Sequence, residues 1–199
     1  MKMKHLKALS LLLALSLFFT PLPSVAEGDV LPSDVFLVIM LKALNYDRNI
    51  DRNAQGKVVI GVVFINGDGL AGDFAQKIRD NFAAIQSKSQ LKSLPAEIRL
   101  LGFDKSPDKN SLEERLKQEH ISSVVVAVQD EAFNRTIFEV TRSMGINSVC
   151  YSAACVKQGA GLGIVLKDNK PRMMVNLGAV KQEGSDYSAK FLALCEVVS

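Results

Sequence analysis

Apolar and polar positions fall in blocks along this chain, and the period within the blocks changes as it proceeds. Leu9 to Phe19 is an almost wholly apolar run, preceded by Lys2, Lys4 and Lys7 and followed by Thr20-Pro21 and Ser24-Val25-Ala26. A positive start, an apolar centre shorter than the ~20 residues of a spanning helix, and small residues at its end form a cleavable secretory leader over residues 1–26. The next block, Val35 to Leu44, is apolar except for Lys42, with Pro32 and Ser33 ahead of it. It predicts a helix with Ser33 as N-cap. Its apolar residues lie on every side, so it is expected to be buried, in the domain's own core or against a partner, a second copy of the chain included. Asp47 to Gly56 is polar and reads as a loop.

From Val58 a single theme repeats. Val58 to Ile65 is β-branched and continuous, as in a strand covered on both faces. Phe74, Ile78, Phe82 and Ile85 follow at helical spacing. Ile98 to Phe103 is the second strand, and Ser111 with Glu114 forms a capping box ahead of Leu112 and Leu116. Val124 to Val128 is the third strand. Phe133, Ile137, Val140 and Met144 line one helical face, with Gly145 closing it, and Ile146 to Tyr151 is the fourth strand. Beyond Gly159, Gly161 and Gly163 the pattern becomes a hairpin, Ile164 to Leu166 and Met173 to Leu177, around Asp168-Asn169. A last helix is expected near Ser185, with Tyr187, Phe191, Leu194 and Cys195 on one side. Strands alternating with helices through short connections imply a mostly parallel sheet with right-handed crossovers. The predicted fold is therefore α/β: a single three-layer domain over residues 27–199, with a mostly parallel sheet and a C-terminal antiparallel hairpin.

Composition narrows the function. Without the three leader lysines, basic and acidic residues balance at 21 each. No clustered basic face is evident, which argues against a nucleic-acid partner. No Cys follows the leader, so no lipid anchor is expected there, and the protein is expected in a bacterial periplasm.

Gly67-Asp68-Gly69-Leu70-Ala71-Gly72 matches G-x-G-x-x-G after a strand. A dinucleotide fold would place its acidic residue about 20 positions on, whereas the second strand ends at Asp104 after a long Ser/Lys-rich connection. Asp68 also puts a negative charge in the would-be phosphate cradle. The motif reads as a plain strand-to-helix turn, and no cofactor is expected. Cys150 and Cys155 flank a short turn, and in an oxidising compartment a local disulfide is expected between them, the alternative being two unrelated thiols. Cys195 is expected to be a buried free thiol.

His120 is the one histidine beyond the leader, and no G-x-S-x-G elbow or metal-ligand set accompanies it, so no catalytic or metal-binding residues are assigned and no enzyme activity is expected. Glu113-Glu114 and Asp130-Glu131 fall at helix starts, where they suit the helix dipole. Asn134-Arg135-Thr136 has the pattern of a glycosylation sequon within a predicted helix. Open parallel sheets bind ligands beyond the carboxyl ends of their strands. The polar residues expected on that rim are Asn66, Gly67, Asp68, Gly69, Asp104, Gln129, Asp130, Tyr151 and Ser152.

The C-terminal third, Gly161 to Ile164, Lys170 to Leu177 and the segment through Ser188 to Leu194, resembles the end of the YfiR family of periplasmic proteins, as does Leu41 to Asp47 at the other end. The resemblance implies a small α/β periplasmic domain that regulates a membrane-bound signalling protein, such as a diguanylate cyclase, by contact and without a cofactor. It also implies control linked to the redox state of cysteines, though Cys150 and Cys155 are more closely spaced than is usual there and Cys195 is extra. The leading expectation is thus a regulatory adaptor, with a small-ligand-binding module as the alternative.

Overall fold

The computed structural model describes residues 31–198. The leader, residues 27–30 and Ser199 lie outside the described residues. Helix α1 (Ser33–Asn45) precedes strand β1 (Val58–Ile65) and helix α2 (Gly69–Ala83). A 3-10 turn at Gln86–Lys88 leads into a hairpin of β2 (Gln90–Leu91) and β3 (Leu94–Phe103). Then come α3 (Lys109–Gln118), β4 (Ile121–Val126), α4 (Glu131–Met144), β5 (Asn147–Cys150), α5 (Ala153–Gln158), β6 (Leu162–Lys167) and β7 (Lys170–Asn176). The C-terminal part is α6 (Leu177–Gln182), α7 (Ala189–Leu192) and β8 (Glu196–Val198).

One eight-stranded sheet runs in the order β2-β3-β1-β4-β5-β6-β7-β8. β3, β1, β4, β5 and β6 are parallel, and the antiparallel partner β7 follows through the Asp168-Asn169 turn, where both residues have positive φ. Alternate side chains of β1 serve opposite faces. Val58, Ile60 and Val62 join α1 and α2 in one core, and Val59 and Val63 join α3, α4 and α5 in the other. The fold is α/β in three layers, with the parallel sheet and C-terminal hairpin that the sequence predicts. The inner side of α1 is buried in this chain's own core, at Phe36, Leu37, Met40, Ala43 and Leu44, while Val38 on the other side is 44% exposed.

Several local expectations are corrected. Ser33 is the first helical residue and caps nothing, and its hydroxyl instead accepts from Asn81 Nδ2 (3.2 Å). Asp108 caps α3 in place of Ser111: its carboxylate accepts the Ser111 amide (2.9 Å) and hydroxyl (2.8 Å), because a charged acceptor binds these donors more strongly than a hydroxyl would. The last helix expected near Ser185 is reduced to the four-residue α7, and an unpredicted helix, α6, starts at Leu177, the expected end of the hairpin strand. α6 ends before Gly184, whose φ of 70° turns the chain, and Tyr187 pairs with Asp47 as an isolated bridge before Ser188 caps the short α7.

Two buried carboxylates hold that turn in place. Asp47 accepts from the amides of Asn49 (3.0 Å) and Asp186 (2.7 Å) and from Asn147 Nδ2 (2.8 Å). Glu183 accepts from the Ser148 amide (3.1 Å), the Ser148 hydroxyl and the Thr141 hydroxyl (3.0 Å). A side chain on Gly161 would collide with Glu183 Oε2, so only glycine admits the carboxylate there. Arg52 donates to the carbonyls of Gly145, Glu183 and Gly184 and closes the same corner.

Burial pushes the Glu183 carboxyl up to about 7, against the opposing pull of Ser148, Thr141 and the Arg142 charge. The folded protein therefore keeps a proton that the unfolded chain, with an ordinary carboxyl near 4.5, releases. Stability is fully present below that ordinary value and falls as pH rises through about 7. Carboxylates held low, such as Glu97 and Glu113, are ionised in both states across this window and do not offset the loss. Urea midpoints are expected to correspond to a loss of roughly 2–3 kcal/mol from pH 5 to pH 8. Glu183→Gln should flatten that slope, and an unchanged slope in the variant would refute the assignment.

Candidate functional site

The chain leaves β1 for β3 on one side and returns through α3 to β4 on the other, so the strand order reverses between β1 and β4. In open parallel sheets this is where connections diverge beyond the carboxyl ends and leave a crevice. All nine predicted rim residues are at this end, but they do different work.

Asn66 and Asp104 are paired with each other (Nδ2 to Oδ1, 2.8 Å) at the ends of β1 and β3. Gly67 closes the turn after β1 with φ 85°, Asp68 caps α2 by accepting the Ala71 amide (3.2 Å), and Gly69 is the first helical residue. The Asp68 carboxylate thus takes the helix-terminal amide that a phosphate would use in a nucleotide site. Asp130 caps α4 by accepting the Phe133 amide (2.6 Å). Gln129, Tyr151 and Ser152 are the three that the fold brings together on open space.

Those three form a shared wall between two cavities that flank α5. One, of about 310 Å³, lies between the start of α4 and α5, with Val126 and Val128 on its apolar side and Glu131, Asn134 and Gln158 on its polar side. The other, of about 490 Å³, lies across α5 over β6, β7 and β8, with Val165 and Met174 below and Lys157, Lys167 and Glu196 at its edge. Lys167 is paired with Glu196 (2.8 Å). The Tyr151 ring packs on Phe74 with centroids 4.6 Å apart, which fixes its direction from below the sheet end. Burial raises the Tyr151 phenol, the Gln129 side chain offsets part of this, and the Asp68 charge adds to it. The phenol is therefore neutral at physiological pH and can donate or accept. A neutral phenol, an amide and a hydroxyl over apolar floors can orient a small molecule by hydrogen bonds, which is the make-up of a ligand pocket.

Cys150 ends β5, and Cys155 lies in α5, where it lines the smaller cavity. The expected disulfide is not formed: both are free, buried thiols, and Cys150 Sγ donates to the Ser152 carbonyl (3.4 Å). Burial, with the Cys155 thiol alongside, raises the Cys150 thiol well above its ordinary value. Cys195 is free as expected but only half-buried, beyond the end of α7, and burial pushes it up to about 11. His120 precedes β4 and so lies at the opposite end of the sheet. Among the described residues no group of three or more His, Cys, Asp or Glu side chains is placed to hold a metal ion.

Sequence reasoning missed α5, Glu131 and Asn134 as cavity residues, and Gln158 altogether. Asn134 is only 2% exposed, which removes it as a glycan acceptor and makes it a wall residue instead. Its signal was present as a polar position on the otherwise apolar inner face of α4.

No family model and no curated protein sequence matches the chain. Solved structures do match in fold. A conserved domain protein from Vibrio cholerae superposes with a TM-score of 0.60 at 14% identity, over 84% of this chain and 60% of that one. An ABC domain in complex with L-Trp from Streptococcus pneumonia gives 0.56 at 10% identity, over 84% and 60%. The ligand-free, open form of a substrate binding protein with adhesive properties from Clostridium difficile gives 0.52 at 13% identity, over 76% and 57%. At these identities the likeness is one of architecture, and the chain spans about 60% of the length of the first of these proteins.

Thiol chemistry provides a check on the site's burial. In the reduced native protein at pH 8, iodoacetamide should modify Cys195 first. Cys150 and Cys155 should react more slowly by roughly tenfold or more, until the chain unfolds. Peptide mass spectrometry reads the order, and early labelling of Cys150 would contradict the packing.

Proposed function

We propose that this chain is a small-ligand-binding module that works outside the cytosol, with its ligand held at the carboxyl ends of β4 and β5. The observation that carries the reading is the convergence of Gln129, Tyr151 and Ser152, from two successive strand ends, on one wall shared by two apolar-floored cavities. The fold neighbours support it, since one is a substrate binding protein and another is in complex with L-Trp. Among the described residues no helix is long and apolar enough to cross a membrane, and the leader pattern supports export.

Thermal-shift screening against a metabolite library tests the reading. A ligand at 100 times its Kd stabilises by about 2.7 kcal/mol, which for a domain of this size is a shift of roughly 5–10 °C. Gln129→Ala, at an exposed position, and Tyr151→Phe, which keeps the Phe74 contact, should each weaken that ligand by about tenfold, the worth of one hydrogen bond. A library without a hit, or a hit indifferent to both variants, would overturn the proposal.

Regulation of a membrane-bound signalling protein, the role implied by the family resemblance, is a second reading with one observation in its favour. A separate groove of about 310 Å³ between α1 and β7 exposes Tyr46 and Leu194 beside Lys42 and Arg172, apart from the ligand rim. Under this reading Leu194→Asp should abolish capture of the partner from membranes and leave ligand binding intact.

A further inference from the structure

The smaller cavity contains a buried acceptor with nothing to accept from. Asn134 is 2% exposed, and its Oδ1 has no hydrogen-bond donor among the described residues. Its Nδ2 donates to Gln158 Oε1 (2.9 Å), and Gln158 Nε2 donates to Glu131 Oε1 (3.1 Å). The direction of this relay is fixed by its end. An ionised carboxylate only accepts, so Gln158 must turn its amide nitrogen to Glu131 and its oxygen to Asn134, and Asn134 must then answer with nitrogen. Turning either amide over would set oxygen against oxygen. Asn134 Oδ1 is thereby committed as an acceptor in a wall where an unsatisfied buried carbonyl is costly.

The rest of the lining repeats the same preference. Glu131 brings a formal negative charge, no Lys or Arg lines this cavity, and Val126 and Val128 form an apolar side. A carboxylate or phosphate here would face Glu131 without a counter-charge. A hydroxyl could satisfy Asn134 and would gain nothing from the charge. We propose that the α4–α5 cavity receives a primary ammonium group on a short apolar chain, held by Asn134 Oδ1 and the Glu131 carboxylate. This deepens the small-ligand reading and rests on it.

A matched four-carbon series tests the class: n-butylamine, 1-butanol and butyrate, titrated into the full folded domain and followed by the side-chain amide signals of asparagine and glutamine in two-dimensional NMR. Butylamine should shift the Asn134 and Gln158 amide signals in a saturable way and bind at least about tenfold more tightly than butanol or butyrate. Glu131→Gln, at an exposed position that the fold does not depend on, should reduce that advantage below about threefold. Asn134→Leu should abolish the response. The substitution removes the unpartnered carbonyl together with the one hydrogen bond to the half-buried Gln158, so its urea midpoint should fall slightly while the variant stays folded. Equal binding of the three probes, tighter binding of butyrate, or an amine advantage that survives Glu131→Gln would each overturn the assignment. If the library screen instead returns a ligand without an amine that depends on Gln129 and Tyr151, the amine class is refuted while the small-ligand reading stands. If neither amines nor library compounds bind, both are refuted.

Discussion

A four-residue strand clasped at one end by two buried carboxylates sets the geometry of everything at its other end. β5 begins with Asn147, which donates to Asp47, and Ser148, which donates to Glu183 through both backbone and side chain. It ends at Cys150, and Tyr151 and Ser152 follow at once. At about 3.3 Å per residue, the phenol that walls both cavities stands only some 13 Å from the clasp. So short a strand makes few ladder hydrogen bonds of its own, and its register is secured by hydrogen bonds to the carboxyl groups of Asp47 and Glu183, far away in sequence. Burying two carboxylates is expensive unless every lone pair is engaged. Each here accepts three hydrogen bonds, which offsets much of that cost. The cost that remains shows in the raised Glu183 carboxyl.

The clasp also explains the architecture of the C-terminal third. Glu183 and Asp186 belong to the turn between α6 and α7, and Asp47 belongs to the segment after α1. Their ties anchor that turn against the start of β5, while the sheet continues past α5 through the β6–β7 hairpin and β8. The larger cavity exists because the layer α3, α4, α5 stops there while the sheet continues.

Regular elements were legible wherever hydrophobic periodicity ran for several turns or strand residues. α4 is the clearest case: Phe133, Ile137 and Val140 are buried, and Gly145 ends it with φ 64°. The continuous β-branched run of β1 announced a strand covered on both faces, and Asp168-Asn169 announced the hairpin. α5 was not legible, because six residues are too few to show a helical period. The clasp was not legible either, since Asp47 lies in a stretch whose composition is that of a solvated loop and Glu183 stands in the polar run from Lys181 to Asp186. Polar residues become structural only when distant segments meet, and a single sequence does not show the meeting. The rim was legible as a set of strand ends. Its division into capping residues, a mutually bonded pair and a true cavity wall depended on side-chain partners. Asp68, Asp130 and the Asn66–Asp104 pair look as inviting in sequence as Gln129, Tyr151 and Ser152, and the difference is that their hydrogen-bonding capacity is engaged by neighbours in the fold.

The cavities are open troughs on one domain, and this constrains how any ligand would be held. Enclosed pockets bury 70–90% or more of a small ligand's surface, and a trough on one face falls short of that, so the remaining apolar area of the ligand stays in water. Any second surface that covers the trough adds the missing burial and tightens the ligand. By reciprocity the ligand must tighten that surface by the same factor. The trough and the α1–β7 groove are separate surfaces, so the ligand-binding and partner-binding readings are not rivals for one surface. A covering body would be a further contact at the trough itself: occupancy changes the face it meets, while the clasp at Asn147 and Ser148 keeps the strand beneath it from yielding.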